Sequence, residues 1–155
     1  MKELEQKIID YIRDHNIEAK HLSFDVSCHS VDEAAEAAGA SAKEFVKNIC
    51  LVDPAGGIAV AIVRGCDRVS TKKAAKILGV KKTRMATPDE ILENTGFPCG
   101  GTPSFGFNCN FLIDEKVLDM PVVYTGGGSQ TSLVKTTPKA LITANNADIV
   151  DLTKD

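Results

Sequence analysis

The sequence predicts an α/β chain of the α+β kind, with a mixed, strongly curved or barrel-like β-sheet flanked by helices. Three observations carry this. Helix-start signals recur along the chain, as at Ser30-Val31-Asp32-Glu33 and Thr87-Pro88-Asp89-Glu90. Two apolar runs, 48–53 and 57–64, flank Pro54-Ala55-Gly56 and predict a hairpin. The expected order β-β-α-β-α-β-β-β-α-β lacks the strict alternation of a doubly wound sheet.

Each element has its own warrant. Residues 3–15 read as a helix, with Leu4, Ile8, Tyr11 and Ile12 on one face. Ser30 opens a helix over 31–38, which Gly39 stops. Ser41-Ala42-Lys43-Glu44 is a second capping box, opening a short helical turn. Residues 72–78 form a helix ended by Gly79, with Ala74, Ile77 and Leu78 inward and Lys72, Lys73 and Lys76 outward. Thr137-Pro138 opens a last short helix. Beyond the hairpin, strands are expected over 81–85, 110–114, 121–124, 131–135 and 148–152.

With 155 residues the chain has the size of one domain. Its hydrophobic content of 43% suffices for a core and argues against disorder. No apolar run reaches membrane-spanning length, and the N-terminus lacks the apolar stretch of an export signal. The five cysteines are widely spaced with no Cys-x-x-Cys pair, which disfavours zinc; neither a metal nor a cofactor is expected. Reduced thiols in a cytoplasmic protein are the simplest reading. No Gly-x-Ser-x-Gly elbow and no phosphate loop occurs.

The net charge of −3 argues against nucleic acid, but its distribution argues for it. From Arg64 to Arg84 stand Arg64, Arg68, Lys72, Lys73, Lys76, Lys81, Lys82 and Arg84 against one acid, Asp67. Such a stripe is either a phosphate-docking surface or a solvated helix face.

Two glycine clusters are the most informative stretches: Phe97-Pro98-Cys99-Gly100-Gly101-Thr102-Pro103-Ser104-Phe105-Gly106 and Tyr124-Thr125-Gly126-Gly127-Gly128-Ser129. They are either tight turns or two walls of a pocket where bare backbone approaches a ligand. Lys47 stands where the turn at Ser41 runs into the first hairpin strand. It either caps a helix end and snorkels to water, or aims a cation into the glycine-walled pocket, where it would bind phosphate or steady an oxyanion. Cys99, inside the first cluster, is the cysteine placed nearest any ligand, or a small apolar turn residue.

Taken together, these segments resemble the YbaK-type aminoacyl-tRNA deacylases, free-standing relatives of the editing domain of bacterial prolyl-tRNA synthetases. The resemblance runs over roughly residues 22–152. It rests on Ser30-Val31-Asp32-Glu33-Ala34-Ala35, on the segment Ser41–Asn48, on Arg84–Ile91, on Thr95–Gly106, and on Gly127-Gly128 followed by Thr137-Pro138-Lys139-Ala140-Leu141. It implies one domain over 1–155, with an N-terminal helix, 1–20, appended to an editing-like core. It also implies hydrolysis of the ester joining a wrong, small amino acid to tRNA, of the Cys-tRNA(Pro) or Ala-tRNA(Pro) type. Lys47 falls on the family's essential lysine, and Gly100 on the first glycine of its Gly-x-x-x-Pro loop. The catalytic set so implied is Lys47, Gly100 and Gly101. The substrate-binding set is Thr102, Pro103, Ser104, Gly126, Gly127 and Gly128, and the basic stripe supplies the expected tRNA-binding set, Arg64, Arg68, Lys72, Lys73 and Lys76. The implied partners are mischarged tRNA, with tRNA(Pro) foremost, and prolyl-tRNA synthetase. The loop departs from the family at Ser104, where proline is expected; here proline stands one position earlier, at Pro103. The alternative is a non-catalytic tRNA- or synthetase-binding module on the same fold.

Overall fold

The computed structural model describes residues 2–154. Its elements follow in the order α1 (Lys2–Asp14), β1 (Lys20–Ser23), α2 (Val31–Ala38), β2 (Val46–Val52), β3 (Ile58–Arg64), α3 (Thr71–Leu78), β4 (Arg84–Met85), α4 (Pro88–Thr95), β5 (Asn110–Asp114), β6 (Val123–Gly126), β7 (Ser132–Thr136), α5 (Pro138–Asn145) and β8 (Asp148–Val150). Short 3-10 turns at Ala42–Glu44 and Glu115–Asp119 complete them.

The caps behave as their chemistry dictates. The hydroxyls of Ser30, Ser70, Thr87 and Thr137 each accept the backbone N–H three residues on, meeting donors that the first helical turn leaves unpaired. Thr87–Glu90 and Ser41–Glu44 form reciprocal capping boxes.

The fold is α+β with mixed strands, but the strands fall into two sheets rather than one. A five-stranded sheet has the order β4-β2-β3-β5-β8, in which β2, β3 and β4 are antiparallel and β5 and β8 join parallel. A three-stranded antiparallel sheet has the order β1-β7-β6. The sheets touch at a parallel bridge between Phe45 and Tyr124, whose rings stack with centroids 4.9 Å apart.

Some boundaries differ from the sequence reading for physical reasons. Strand β1, Lys-His-Leu-Ser, has no apolar run to announce it and exists because β7 offers an edge. The strand expected over 81–85 shrinks to Arg84–Met85, which pair only with Val52 and Leu51. The turn at Glu115–Asp119 is organised by the fully buried Asp114 carboxylate, which accepts the N–H groups of Lys116 and Leu152.

The main core joins both sheets through Val60, Ile62, Phe111 and Ile113 on one side and Val123 and Val134 on the other. Helix α1 contributes the fully buried Ile8, and Tyr11 stacks on Phe105 at 5.8 Å. Glu5 of α1 is also buried, its carboxylate accepting the hydroxyls of Ser23 and Ser129. A second cluster (Leu51, Ala61, Val63, Ala74, Leu112, Leu152) lies under α3, and a third (Cys28, Ala34, Phe45, Tyr124, Leu133) under α2.

Gly128 shows how tightly α1 closes on the loop after β6. Its φ is 104°, and a Cβ there would lie 2.6 Å from the Leu4 carbonyl oxygen. Gly128→Ala therefore combines a left-handed backbone with a collision against main chain. It is expected to cost about 1–3 kcal/mol, seen as a Tm lowered by several degrees in a thermal melt.

Candidate active site

Side chains alternate along β2. Val46, Asn48 and Cys50 point to the main core side, while Ile49 and Leu51 join the cluster under α3. At the start of β2 a cavity of about 200 Å³ opens beside the Phe45–Tyr124 bridge. Lys47, Asn48, Gly100, Thr102, Thr125 and Gly126 line it, with Cys28, His29, Ile91 and Cys99 among the other wall residues. The structure thus brings Lys47 and both glycine clusters to one place.

A polar cluster joins the walls of this cavity. The Asn48 side-chain amide donates to the Thr102 carbonyl at 2.9 Å and to the Thr125 hydroxyl at 2.8 Å. The Ser104 hydroxyl donates to Asn48 Oδ1 at 2.7 Å and lies 2.7 Å from the Thr125 hydroxyl. Ser104 is fully buried, and its carbonyl accepts the Asn145 amide of α5 at 2.9 Å. Four segments are tied by one satisfied network, which is why these polar groups are tolerated inside.

The glycines have a use that the sequence reading did not foresee. The two clusters pack against each other: the Gly128 N–H donates to the Gly101 carbonyl at 2.9 Å. A Cβ at Gly101 would lie 2.6 Å from the Ser129 carbonyl oxygen, and one at Gly126 would collide with the Thr102 carbonyl. At Gly127 it would meet the Leu133 nitrogen at 2.6 Å. Of the clusters, Cys99, Gly100, Thr102, Tyr124, Thr125 and Gly126 line the cavity; Gly101, Pro103, Ser104, Gly127 and Gly128 stand outside its lining. Gly100, with φ 86°, has the His29 ring where a Cβ would be.

Lys47 lines the cavity, and its ammonium donates to the Asp67 carbonyl at 2.6 Å. Asp67 is itself fixed by Arg64, whose guanidinium donates to both carboxylate oxygens at 2.7 and 3.1 Å. That hydrogen bond, outweighing burial, holds the Asp67 carboxyl below the usual carboxylate range. The turn that anchors Lys47 is therefore insensitive to pH near neutrality.

His29 and Gln130 form part of the rim. The Gln130 amide donates to the Cys99 carbonyl at 2.7 Å and lies 3.2 Å from His29 Nδ1. Burial raises the Cys28 thiol, with the Glu33 carboxylate adding to it. Burial pushes Cys50 up to about 12, helped by Cys109 and Cys99 nearby. Among the described residues, no group of three His, Cys, Asp or Glu side chains is placed to hold a metal ion.

The basic segment divides into engaged and outward-facing cations. Arg64 is paired with Asp67, Lys73 with Asp151 and the Thr153 carbonyl, and Arg84 with Glu90. Arg68, Lys72, Lys76, Lys81 and Lys82 are exposed. Lys72, Lys76, Lys81 and Lys82 surround one groove between α3 and the segment leading to β4.

Comparison with known proteins fits this arrangement. Residues 25–144 match the aminoacyl-tRNA editing domain. The chain belongs to that family. A crystal structure of a protein proposed to be a trans-editing enzyme for prolyl-tRNA synthetase superposes with a TM-score of 0.88 at 30% identity, covering 97% of each chain. The uncharacterized protein YwhH of Bacillus subtilis (strain 168) is 28% identical over 143 residues, 90% of each chain. EbsC of Enterococcus faecalis, proposed to be a Cys-tRNA(Pro)/Cys-tRNA(Cys) deacylase, is 24% identical over 126 residues, 80% of this chain and 77% of that protein.

Two polar residues of this editing domain's cavity region, Asn48 and Gln130, were not singled out in the sequence, and Thr125 was marked only as part of its glycine cluster. Asn48 carried a readable signal, since it is the polar residue at an inward position of the apolar run from Val46 to Val52. Gln130 carried none, and the bond of Thr125 to Asn48 was not readable either, because the partners lie 31 and 77 residues away in sequence.

The thiols supply a test of the cavity's packing. In the folded protein Ellman's reagent is expected to label exposed Cys66 first and to spare Cys50 until denaturant is added. Mass spectrometry of the labelled peptides reads the order.

Proposed function

We propose that this editing domain is a trans-editing hydrolase that deacylates mischarged aminoacyl-tRNA carrying a small amino acid, of the Cys-tRNA(Pro) or Ala-tRNA(Pro) type. One observation carries the reading: a cavity of only about 200 Å³ lies between the two glycine clusters and against Lys47, its remaining wall made by bulky side chains such as Phe45, Ile91, Tyr124 and Leu133. Such a wall excludes large side chains by collision and admits small ones.

The chemistry asks little of the protein. Water adds to the ester carbonyl, the tetrahedral intermediate collapses, and the ribose hydroxyl leaves with a proton. Positioning and stabilisation of the developing oxyanion suffice for so labile an ester. In this reading Lys47 supplies the cation, and the Gly100-Gly101 turn sets the main-chain geometry of one wall. Thr102 and Gly126 contact the aminoacyl group, and Pro103, Ser104, Gly127 and Gly128 shape the site from behind. Arg68, Lys72 and Lys76 meet the tRNA backbone, while Arg64 and Lys73 brace the surface that presents them. The partners are tRNA(Pro) and prolyl-tRNA synthetase, and the place of action is the cytoplasm; among the described residues no helix is long and apolar enough to cross a membrane.

A second reading, a binding module without chemistry, is favoured by the bond from the Lys47 ammonium to the Asp67 carbonyl, which occupies the cation. Purified protein given Ala-tRNA(Pro), Cys-tRNA(Pro) and an aromatic aminoacyl-tRNA separates the two. Turnover of the small esters alone is the expected result; tRNA binding without turnover supports the module. Lys47→Ala is expected to abolish deacylation while costing about 1 kcal/mol of stability, checked by single-turnover assay beside a thermal melt. Normal turnover by the folded variant removes Lys47 from the mechanism.

Charge reversal at Lys72 and Lys76 tests the docking surface. Affinity for tRNA is expected to fall and its salt dependence to flatten, because fewer counterions are released. Hydrolysis of a short aminoacyl-ester mimic is expected to remain unchanged.

A further inference from the structure

The cavity contains two open strand edges. The β2–β3 ladder is antiparallel, so β2 residues turn their peptide groups alternately toward β3 and away. Two bonds fix the phase: the Gly65 N–H donates to the Phe45 carbonyl at 2.8 Å, and the Asp53 N–H to the Gly57 carbonyl at 2.9 Å. Phe45, Lys47, Ile49 and Leu51 therefore face β3, and Val46, Asn48 and Cys50 face the other edge. The Ala86 N–H, which donates to the Cys50 carbonyl at 2.9 Å, agrees. Strand β4 pairs only with Leu51 and Val52, so among the described residues no strand pairs with Asn48 on that edge.

Strand β6 mirrors this. The Gly127 N–H donates to the Ser132 carbonyl at 3.2 Å, which sets the phase of the β6–β7 ladder. The peptide groups of Tyr124 and Gly126 consequently turn toward β2. The two edges meet in parallel at Phe45–Tyr124 and then diverge, and Val46, Asn48 and Gly126 all line the cavity between them. The Asn48 side chain spans the gap to Thr125 and Thr102 and holds the edges apart.

We propose that this slot recognises the main-chain part of the aminoacyl group. The substrate's α-ammonium donates to a strand carbonyl at Val46 or Gly126, and its ester carbonyl accepts the Asn48 N–H. This rests on the deacylase reading and deepens it. Inward-turned peptide groups need partners, and a ligand carrying a donor and an acceptor on adjacent carbons completes the interrupted pairing as an added strand would. The slot reads the free α-amine common to all amino acids, and the cavity's size alone reads the side chain.

The test uses the full chain and two non-hydrolysable probes, 3′-(L-alanylamido)-3′-deoxyadenosine and its N-acetyl derivative. In ¹H–¹⁵N spectra the first is expected to shift the Asn48 and Gly126 amides. The second is expected to bind at least tenfold more weakly, since acetylation removes the ammonium and adds bulk. Equal affinity for the two probes, an unmoved Asn48 amide, or binding of neither overturns the proposal. A second arm compares Ala-tRNA(Pro) with N-acetyl-Ala-tRNA(Pro), each corrected for its uncatalysed rate. Loss of at least tenfold in enhancement supports the slot, and equal enhancement overturns the slot while leaving the deacylase intact. Selective binding of the free-amine probe without any turnover overturns the deacylase while leaving the slot.

Discussion

The close approach of two backbones, the turn at Gly100–Thr102 and the loop at Gly126–Ser129, is the constraint on which the rest depends. A Cβ at Gly101, Gly126, Gly127 or Gly128 would strike main chain rather than a movable side chain. Only because these positions lack one can the Gly128 N–H reach the Gly101 carbonyl. That contact brings the three-stranded sheet against the segment following α4 and leaves a slot beside β2. It also lets α1 close over the loop, with the Glu5 carboxylate collecting the hydroxyls of Ser23 and Ser129.

The Asn48 network converts this packing into a site. Its members come from β2, the glycine turn, β6 and, through Asn145, α5. Each polar group has a partner, so the cluster adds rigidity rather than an unpaired buried dipole. Ser104 illustrates the point. The resemblance expects proline there, whereas the serine hydroxyl bonds Asn48 and Thr125, a role that proline cannot fill. The proline has moved to position 103 and the turn is held by hydrogen bonds in its place.

Charge is organised on the same principle of division. Arg64, Lys73 and Arg84 are tied to carboxylates. The exposed pairs among them, Lys73–Asp151 and Arg84–Glu90, contribute little to stability, whereas Arg64–Asp67 is partly buried. The Arg64–Asp67 pair has a second consequence, since the Asp67 carbonyl receives the Lys47 ammonium. A partly buried ion pair and the cavity are thereby joined through one turn.

By itself the sequence determined what is local. Caps at Ser30, Thr87 and Thr137 are decided by hydrogen bonds spanning three residues, and the β2–β3 hairpin by a short turn between apolar runs. The family resemblance was equally legible, because it lies in ordered short motifs. Lys47 and the glycine clusters could be picked out, but not the reason for the glycines, which is contact between segments about 25 residues apart. Tertiary structure alone decided the division into two sheets, the existence of β1, and the open edges at Asn48 and Gly126. Each of these depends on which strand happens to lie alongside, and a strand's neighbour is set by the packing of the whole chain rather than by its own residues.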